Sequence, residues 1–153
     1  EKVRVQLFRD GKIQIFSEPI STACQSKLQR IKISEFKVDK NDAFLRHKTS
    51  RRNLYELELK RGQSEGVYDV VFRNTDEEIT EGCFNNILIR KKNTYYTPPL
   101  KCGLLPGVYR EHVLNNSVLD FPVFEKILRL DDLKTADAIF LMNSVRGMVE
   151  VVI

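Results

Sequence analysis

Apolar and polar residues alternate along much of the chain with the two-residue period of a strand that buries one face. The first such segment is residues 3–9, VRVQLFR, and the second is residues 12–16, KIQIF. Between them lies Asp10-Gly11, a dipeptide that strongly favours a two-residue hairpin turn. The pattern therefore predicts that the chain opens with an antiparallel pair of strands.

Further segments alternate in the same way or are short apolar runs of the kind found in buried strands. The predicted strands are residues 28–33, 67–72, 84–90, 94–97, 124–130, 138–142 and 149–153. The segment 17–27 is predicted to be a connection and residues 76–80 a polar turn. A short turn of helix is predicted around residues 43–46.

Three longer segments are predicted to be helical: residues 49–61, 108–116 and 131–136. Gly62 is expected to end the first, and Pro106-Gly107 precedes the second. Within the first, Tyr55, Leu57 and Leu59 also alternate as in a strand, but the length and the terminal glycine favour a helix. Strands joined by short turns, with about three helices between them, predict an α+β fold with mixed or antiparallel sheets.

Composition limits the classes of function. The 153 residues suffice for one domain with a core, and 25 Lys and Arg against 21 Asp and Glu give a net charge of only +4. No apolar run approaches 18 residues, so no membrane span is expected. The three cysteines, Cys24, Cys83 and Cys102, show no CxxC spacing. This argues against a disulfide framework or a zinc site and suits a cytoplasmic protein.

Positive charge is concentrated in residues 44–55, FLRHKTSRRNLY, where Arg46, Lys48, Arg51 and Arg52 fall within seven positions. Such a run is either a solvated basic face or the surroundings of an anionic ligand. An amine acts as a nucleophile only without its proton, and neighbouring cations and burial both disfavour the charged ammonium. Lys48 is therefore a candidate nucleophile.

Two later segments also have the chemistry of an anion site. In residues 105–110, LPGVYR, a Pro-Gly turn leads into a helix whose first N–H groups are free to bind an anion. In residues 143–147, NSVRG, Arg146 can form a bidentate pair with a carboxylate. The alternatives are a plain helix start and a solvated turn between strands.

The order and spacing of these segments resemble those of the class IV aminotransferase group, the fold-type IV pyridoxal-phosphate enzymes. The lysine motif HKTSRRNLYE is followed by E-x-C-x-x-N at Glu81, Cys83 and Asn86, then by L-x-G-V-x-R and by Asn-Ser. Leu88 and Tyr95 depart from the family pattern, which expects an aromatic residue and an aliphatic residue or Phe. Within the group, the motifs are most similar to 4-amino-4-deoxychorismate lyase, including forms fused behind a chorismate-using synthase.

The resemblance implies the large domain of the D-amino-acid-aminotransferase-like fold and pyridoxal 5′-phosphate as cofactor. It implies these roles: Lys48 forms a Schiff base with the cofactor, Glu81 holds the pyridine nitrogen, Val108, Tyr109 and Ser144 surround the phosphate, and Arg146 is a candidate for a substrate carboxylate. A fixed carboxylate keeps such a nitrogen protonated, so that the ring can accept electrons. The alternative for Glu81 is an ordinary loop glutamate near other acids.

The function implied is a lyase that gives p-aminobenzoate and pyruvate, as in folate biosynthesis. The alternatives are an aminotransferase for D- or branched-chain amino acids and an inactive isolated domain. The chain begins with Glu1 rather than Met, and residues 1–153 are expected to form one domain without the small N-terminal domain of the family. The resemblance implies a homodimer with a small-molecule substrate, and it leaves open fusion to, or pairing with, the synthase. A nucleic-acid surface built on Arg51-Arg52 and Tyr95-Tyr96 is a generic alternative, and neither nucleic acid nor membrane is expected as a partner.

Overall fold

The computed structural model describes residues 1–20 and 28–153, and it has the α+β fold predicted from the sequence. Cys24 and most of the predicted connection 17–27 lie outside the described residues. Strands β1 to β10 are, in order, Lys2–Leu7, Ile13–Glu18, Gln29–Val38, Asp69–Asn74, Ile79–Gly82, Asn86–Lys91, Thr94–Thr97, Val123–Glu125, Ala138–Asn143 and Gly147–Val152. Helices α1 to α3 are Asn53–Ser64, Val108–Asn115 and Leu130–Lys134, with 3₁₀ turns at Ala43–Arg46 and Leu100–Cys102.

Eight of the strands form one mixed sheet in the order β5-β4-β3-β10-β9-β6-β7-β8. The pairs β3–β4, β3–β10 and β7–β8 are parallel, and the other pairs are antiparallel. One further pairing, of Glu81 on β5 with Asn86 on β6, joins the sheet back on itself. Strands β5, β4, β3, β10, β9 and β6 therefore form a closed ring.

The alternation along these strands divides the core into layers. Val71 on β4 and Ile87 on β6 belong to one buried cluster, which also takes in Leu133 of α3. Their neighbours point the other way: Phe72 packs with residues of α1, and Leu88 packs with Val113 of α2. The ring thus has its own core, and α1 and α2 each cover part of its outer face.

Helix α1 begins later and ends later than the sequence predicted. It starts at Asn53, after Arg52, which makes no side-chain capping bond, and it ends at Ser64. Gly62 does not end the helix but lies inside it, where an added Cβ would stand 2.7 Å from Val67 and Val70. The glycine is required because the helix packs closely on β4 at this point.

The strand predicted at residues 28–33 continues to Val38, and two other segments differ more strongly from the predicted elements. Residues predicted as a polar turn include the start of β5, where Ile79 and Thr80 are fully buried. The predicted strand 124–130 is mostly irregular, because only Val123–Glu125 pair with β7 and α3 already starts at Leu130. Leu128 is buried and its carbonyl accepts a hydrogen bond from the Ile79 N–H, so the apolar pattern there reflected burial rather than strand pairing.

The predicted opening hairpin is confirmed, with β1 and β2 antiparallel and Gly11 at φ 85° in the turn. It forms a separate two-stranded sheet. Its apolar face is open: Val5 is 61% exposed, Leu7 73% and Ile15 69%. Among the described residues, no helix has the length and apolar character needed to cross a membrane.

We expect Ile87→Ala to lower the free energy of unfolding by about 2–5 kcal/mol, because it removes a fully buried side chain from the ring core. Ile15→Ala is the matched control. It deletes the same atoms from an exposed strand and should change stability by about 0.5 kcal/mol or less. Urea unfolding followed by circular dichroism measures both, and equal losses would contradict this description of the core.

Candidate active site

Lys48 lies in an irregular segment between the 3₁₀ turn at Ala43–Arg46 and helix α1, and its side chain is exposed. The segment is fixed on both sides. Asp42 accepts a hydrogen bond from the Phe44 N–H and caps the 3₁₀ turn (2.9 Å). On the other side, Arg52 donates to the Cys83 carbonyl of the loop after β5 (2.5 Å), and its guanidinium lies 4.4 Å from the centre of the Tyr55 ring.

Glu81 is a carboxylate buried near the end of β5, with 4% of its surface exposed. Its Oε2 accepts hydrogen bonds from the Leu105 N–H (3.1 Å) and from the Asn86 side-chain amide (3.4 Å). The same amide donates to the Leu105 carbonyl (3.0 Å). Neither bond involves Oε1, so this oxygen has no donor among the described residues.

The charge of Glu81 is destabilised by burial and only partly compensated. Desolvation raises its pKa to about 7, from an ordinary value of 4.5, while the positive charges of Arg52 and Lys48 and the Leu105 N–H oppose the rise. No lysine or arginine forms a salt bridge with Glu81 within the described residues. A cationic group brought to Oε1 would therefore stabilise the charged form.

The turn before α2 directly contacts Glu81 and its hydrogen-bond partner Asn86. Gly107 is the residue before the helix, and any Cβ at this position would collide with the Asn86 side-chain oxygen. No side chain caps the helix start, so the N–H groups of Val108 and Tyr109 keep their capacity to bind an anion. Arg110 anchors the helix to the sheet: it is 4% exposed, donates to the Pro98 carbonyl (2.7 Å) and pairs with Glu125.

The β9–β10 turn lies beside the start of α2. Gly147 adopts φ 67°, and a Cβ built there would stand 3.7 Å from the Tyr109 hydroxyl. Ser144 and Arg146 are located on this turn. The charge of Arg146 also reaches the buried Tyr68 hydroxyl, where it opposes the increase in pKa that burial causes.

The sequence-predicted residues therefore lie in one region. Lys48 acts electrostatically on Glu81, Glu81 is hydrogen-bonded to the segment before Gly107, and Tyr109 contacts the turn that carries Ser144 and Arg146. Sequence reasoning missed the part played by Arg52, which lay within the cationic run but was not distinguished from its neighbours. It also missed Asp69, although an aspartate inside the apolar run VYDVVF was a visible signal.

The buried thiols do not extend the site. Cys83 and Cys102 are free, and burial raises the pKa of both, that of Cys102 to about 12. They are therefore protonated at neutral pH. Over residues 1–20 and 28–153, no group of three or more His, Cys, Asp and Glu side chains is arranged to hold a metal ion.

Comparisons with known proteins point to a single family. The model of amino-transferase class IV matches residues 2–153. The chain is 32% identical over 97 residues to a probable branched-chain-amino-acid aminotransferase of Thermotoga maritima, a match covering 63% of this chain and 36% of that protein. It is 26% identical over 148 residues to a putative aminodeoxychorismate lyase of Schizosaccharomyces pombe, covering 95% of this chain and 63% of that protein.

A solved structure, a putative amino-acid aminotransferase from Mesorhizobium loti, superposes with a TM-score of 0.90 at 32% identity, covering 98% of this chain and 71% of that one. The chain thus spans between about a third and two thirds of the two curated relatives.

We expect Glu81→Gln to remove a pH dependence from the stability of the cofactor-free protein. Because the folded state raises the pKa of Glu81 from 4.5 to about 7, it holds this proton more tightly than the unfolded chain does. The cost of burying the charge is therefore absent below pH 4.5 and complete above pH 7. Relative to the Gln variant, the wild type should lose about 3 kcal/mol between these values.

Urea unfolding at a series of pH values measures this difference, and the Gln oxygen can still accept from Leu105 and Asn86. Glu111→Gln, a change at an exposed position of α2 that involves no buried charge, is the control. If the difference between wild type and Glu81→Gln were constant over the same range, Glu81 would not be the strained carboxylate described here.

Proposed function

Because the chain belongs to the class IV amino-transferase family, whose cofactor is pyridoxal 5′-phosphate, we propose that it binds this cofactor covalently through Lys48. Glu81 would then bind the ring nitrogen. The N–H groups of Val108 and Tyr109 and the Ser144 hydroxyl would bind the phosphate. The observation that carries the proposal is the buried Glu81 carboxylate, which has one oxygen without a donor among the described residues and lies within the field of Lys48.

The residues of the site match three groups of the cofactor: the ring nitrogen, the phosphate and the aldehyde. A pyridinium N–H is the cation that Oε1 of Glu81 lacks, and its positive charge would lower the pKa of the carboxyl. The uncapped start of α2 suits a phosphate dianion, since free N–H groups and the helix dipole both favour negative charge. Lys48 is exposed, so its amine is open to an aldehyde.

When bound, the cofactor supplies an electron-accepting ring that stabilises negative charge on the substrate carbon beside the amino nitrogen. Glu81 would keep the ring nitrogen protonated, which the ring would need in order to accept those electrons. The Lys48 amine would accept the proton from that carbon. Arg52 stabilises the charged form of Glu81 from the side, where its hydrogen bond to Cys83 holds it.

For the substrate, we propose 4-amino-4-deoxychorismate. Lys48 would take the proton from the ring carbon that carries the amino group. The bond from the neighbouring carbon to the enolpyruvyl oxygen would break, the enolpyruvate that leaves would take up a proton to become pyruvate, and the ring would become aromatic as p-aminobenzoate. Arg146 would bind a substrate carboxylate. The proposal is supported by the fission-yeast relative, whose match covers 95% of the chain, and by the HKTSRRNLYE and NSVRG segments.

An aminotransferase is the second candidate, favoured by the 32% identity to the Thermotoga protein and to the Mesorhizobium structure. Such an enzyme would use Lys48 and Glu81 in the same way. The proton accepted by Lys48 would pass to the cofactor, and no pyruvate would be released. Proteins of this family are typically dimers that act on small molecules, and we propose a homodimer here. Fusion to, or pairing with, a chorismate-using synthase would supply the lyase substrate.

We expect Lys48→Ala to abolish covalent attachment of pyridoxal 5′-phosphate. Wild-type protein mixed with the cofactor should become yellow, lose the colour on reduction with borohydride, and carry the reduced label on the peptide that contains Lys48. Lys60→Ala, which removes an exposed lysine on α1, is the control and should label as the wild type does. Label found on another lysine, or turnover retained in Lys48→Ala, would contradict the assignment.

Substrate assays separate the two candidates. The lyase predicts that cofactor-loaded protein converts 4-amino-4-deoxychorismate to p-aminobenzoate and pyruvate in equal amounts, without an amino acceptor. Arg146→Lys should raise KM for this substrate by about tenfold or more, because lysine cannot form the bidentate pair. If instead the protein transfers the amino group of leucine, valine or a D-amino acid to 2-oxoglutarate and forms no p-aminobenzoate, the aminotransferase is correct.

A further inference from the structure

A series of hydrogen-bonded polar side chains, here called the relay, lies behind the site; Asp69 and Asn85 in it are buried and Asn143 is half-buried. It begins at Asp69 on β4, which is completely buried, continues through Asn85 before β6, and ends at Asn143 at the end of β9. Asn85 donates to Asp69 Oδ2 (2.8 Å), and Asn143 donates to the Asn85 oxygen (2.5 Å). The Asn143 oxygen in turn accepts from the Val145 and Arg146 N–H groups, both at 2.9 Å.

The carboxylate determines the direction of every bond in this chain. An ionised carboxylate only accepts hydrogen bonds, so Asn85 must present its NH₂ group to Asp69 and its oxygen to Asn143. Asn143 must then present its NH₂ group to Asn85, which leaves its oxygen for the two backbone N–H groups of the turn. Reversal of any one amide would place two donors or two acceptors face to face.

The site is built to hold a carboxylate at position 69. Its Oδ1 accepts from the Val70 N–H (2.8 Å) and the Cys83 N–H (2.9 Å), so with Asn85 three N–H donors of the described residues converge on the group. Burial raises the pKa of Asp69, and these three hydrogen bonds oppose the rise. Gly82 gives the necessary space, because a Cβ there would collide with Asp69 Oδ2.

The far end of the chain is the turn of residues 143–147, which lies against Tyr109 at the start of α2. The Val145 and Arg146 N–H groups donate to the Asn143 side-chain oxygen, and these two bonds fix the backbone around Ser144 and at Arg146. The near end, at Cys83, adjoins the strand that carries Glu81. These hydrogen bonds therefore connect the region of Glu81 with the turn that carries Ser144 and Arg146.

We propose that Asp69 is a positioning residue: through the amides of Asn85 and Asn143 it holds the 143–147 turn beside the start of α2 so that the turn binds an anionic group. The anion class is a phosphate monoester or carboxylate, and its identity as the cofactor phosphate rests on the proposed function. None of the three side chains takes part in bond making or breaking.

The first experiment follows hydrogen exchange of the Val145 and Arg146 amides by NMR in the cofactor-free protein. In Asp69→Asn, the new amide keeps its oxygen on the two backbone donors and turns an NH₂ group toward Asn85. Asn85 and Asn143 must then reverse, and the turn loses its acceptor. Exchange at Val145 and Arg146 should become about tenfold faster, the equivalent of one lost hydrogen bond.

The double variant Asp69→Asn/Asn85→Asp restores the direction of the chain. The amide introduced at position 69 donates to the carboxylate introduced at position 85, whose other oxygen accepts from Asn143 as Asn85 does in the wild type. The Val145 and Arg146 amides should return toward wild-type exchange. Glu58→Gln is the matched control, because Glu58 is also buried (6% exposed) but bonds to Ser34 on the other side of β4. It should leave the 143–147 turn unchanged.

The second experiment compares binding of pyridoxal 5′-phosphate with binding of pyridoxal, which has no phosphate. Asp69→Asn should raise Kd for the phosphorylated compound by about tenfold and leave Kd for pyridoxal nearly unchanged, with recovery in the double variant. Equal weakening for both compounds would overturn the anion-positioning role. Unchanged exchange at Val145 and Arg146, or failure of the double variant to restore it, would overturn the relay.

The two experiments distinguish failure of the relay from failure of the proposed function. If the wild type binds neither compound, the cofactor assignment is wrong, while the exchange data still decide whether the relay exists. If Asp69→Asn does not fold, Asn143→Ala tests the same prediction, because it removes the acceptor of the turn at a half-buried position. Faster exchange confined to Val145 and Arg146 is the expected result, and uniform loss of protection through the core would overturn the positioning role in favour of a purely structural one.

Discussion

The site depends on a carboxylate, Glu81, that the fold buries without a salt-bridge partner in residues 1–20 and 28–153. Glu81 is 4% exposed, and its two hydrogen bonds converge on one oxygen. An uncompensated charge in such a position is costly, which is why its pKa rises to about 7. The nearby cations reduce this cost without removing it, since Arg52 is engaged with the Cys83 carbonyl. A ligand that brings a positive N–H group to Oε1 would compensate the buried charge of Glu81, and this stabilisation would favour binding.

The geometry around Glu81 follows from the way the sheet closes. Pairing of Glu81 with Asn86 joins β5 to β6, so the carboxylate and its amide partner are fixed by the same contact that completes the ring. Asn86 then reaches the segment before α2, and the absence of a side chain at Gly107 allows the approach. The start of α2 and the buried carboxylate are therefore held at a constant separation, which a rigid ligand with a cationic nitrogen and a phosphate requires.

Local signals in the sequence predicted the local structure. Asp10-Gly11 predicted the hairpin, and Pro106-Gly107 predicted the start of α2, because these dipeptides restrict the backbone directly. The order of Lys48, Glu81, the Gly107 turn and Ser144 predicted residues that the structure brings into one region. Gly62 was misplaced as a helix end because its role depends on a neighbouring strand, which no local pattern reveals.

The relay could not be predicted for a related reason. Asp69 and Asn85 are 16 positions apart, and Asn85 and Asn143 are 58 apart, so only the order of the strands in the ring brings them together. Periodicity likewise failed at residues 124–130, where Leu128 is buried by tertiary packing without being part of a strand. The sequence did show an aspartate within an apolar strand. A buried carboxylate of this kind requires hydrogen-bond partners, but only the fold shows which residues they are.

The most direct test of this account is the ¹⁵N NMR spectrum of protein loaded with pyridoxal 5′-phosphate that is ¹⁵N-labelled in the ring. The ring nitrogen should be protonated in the wild type at neutral pH and unprotonated in Glu81→Gln. An unprotonated nitrogen in the wild type, or equal protonation in both proteins, would contradict the claim that the buried carboxylate binds the cofactor.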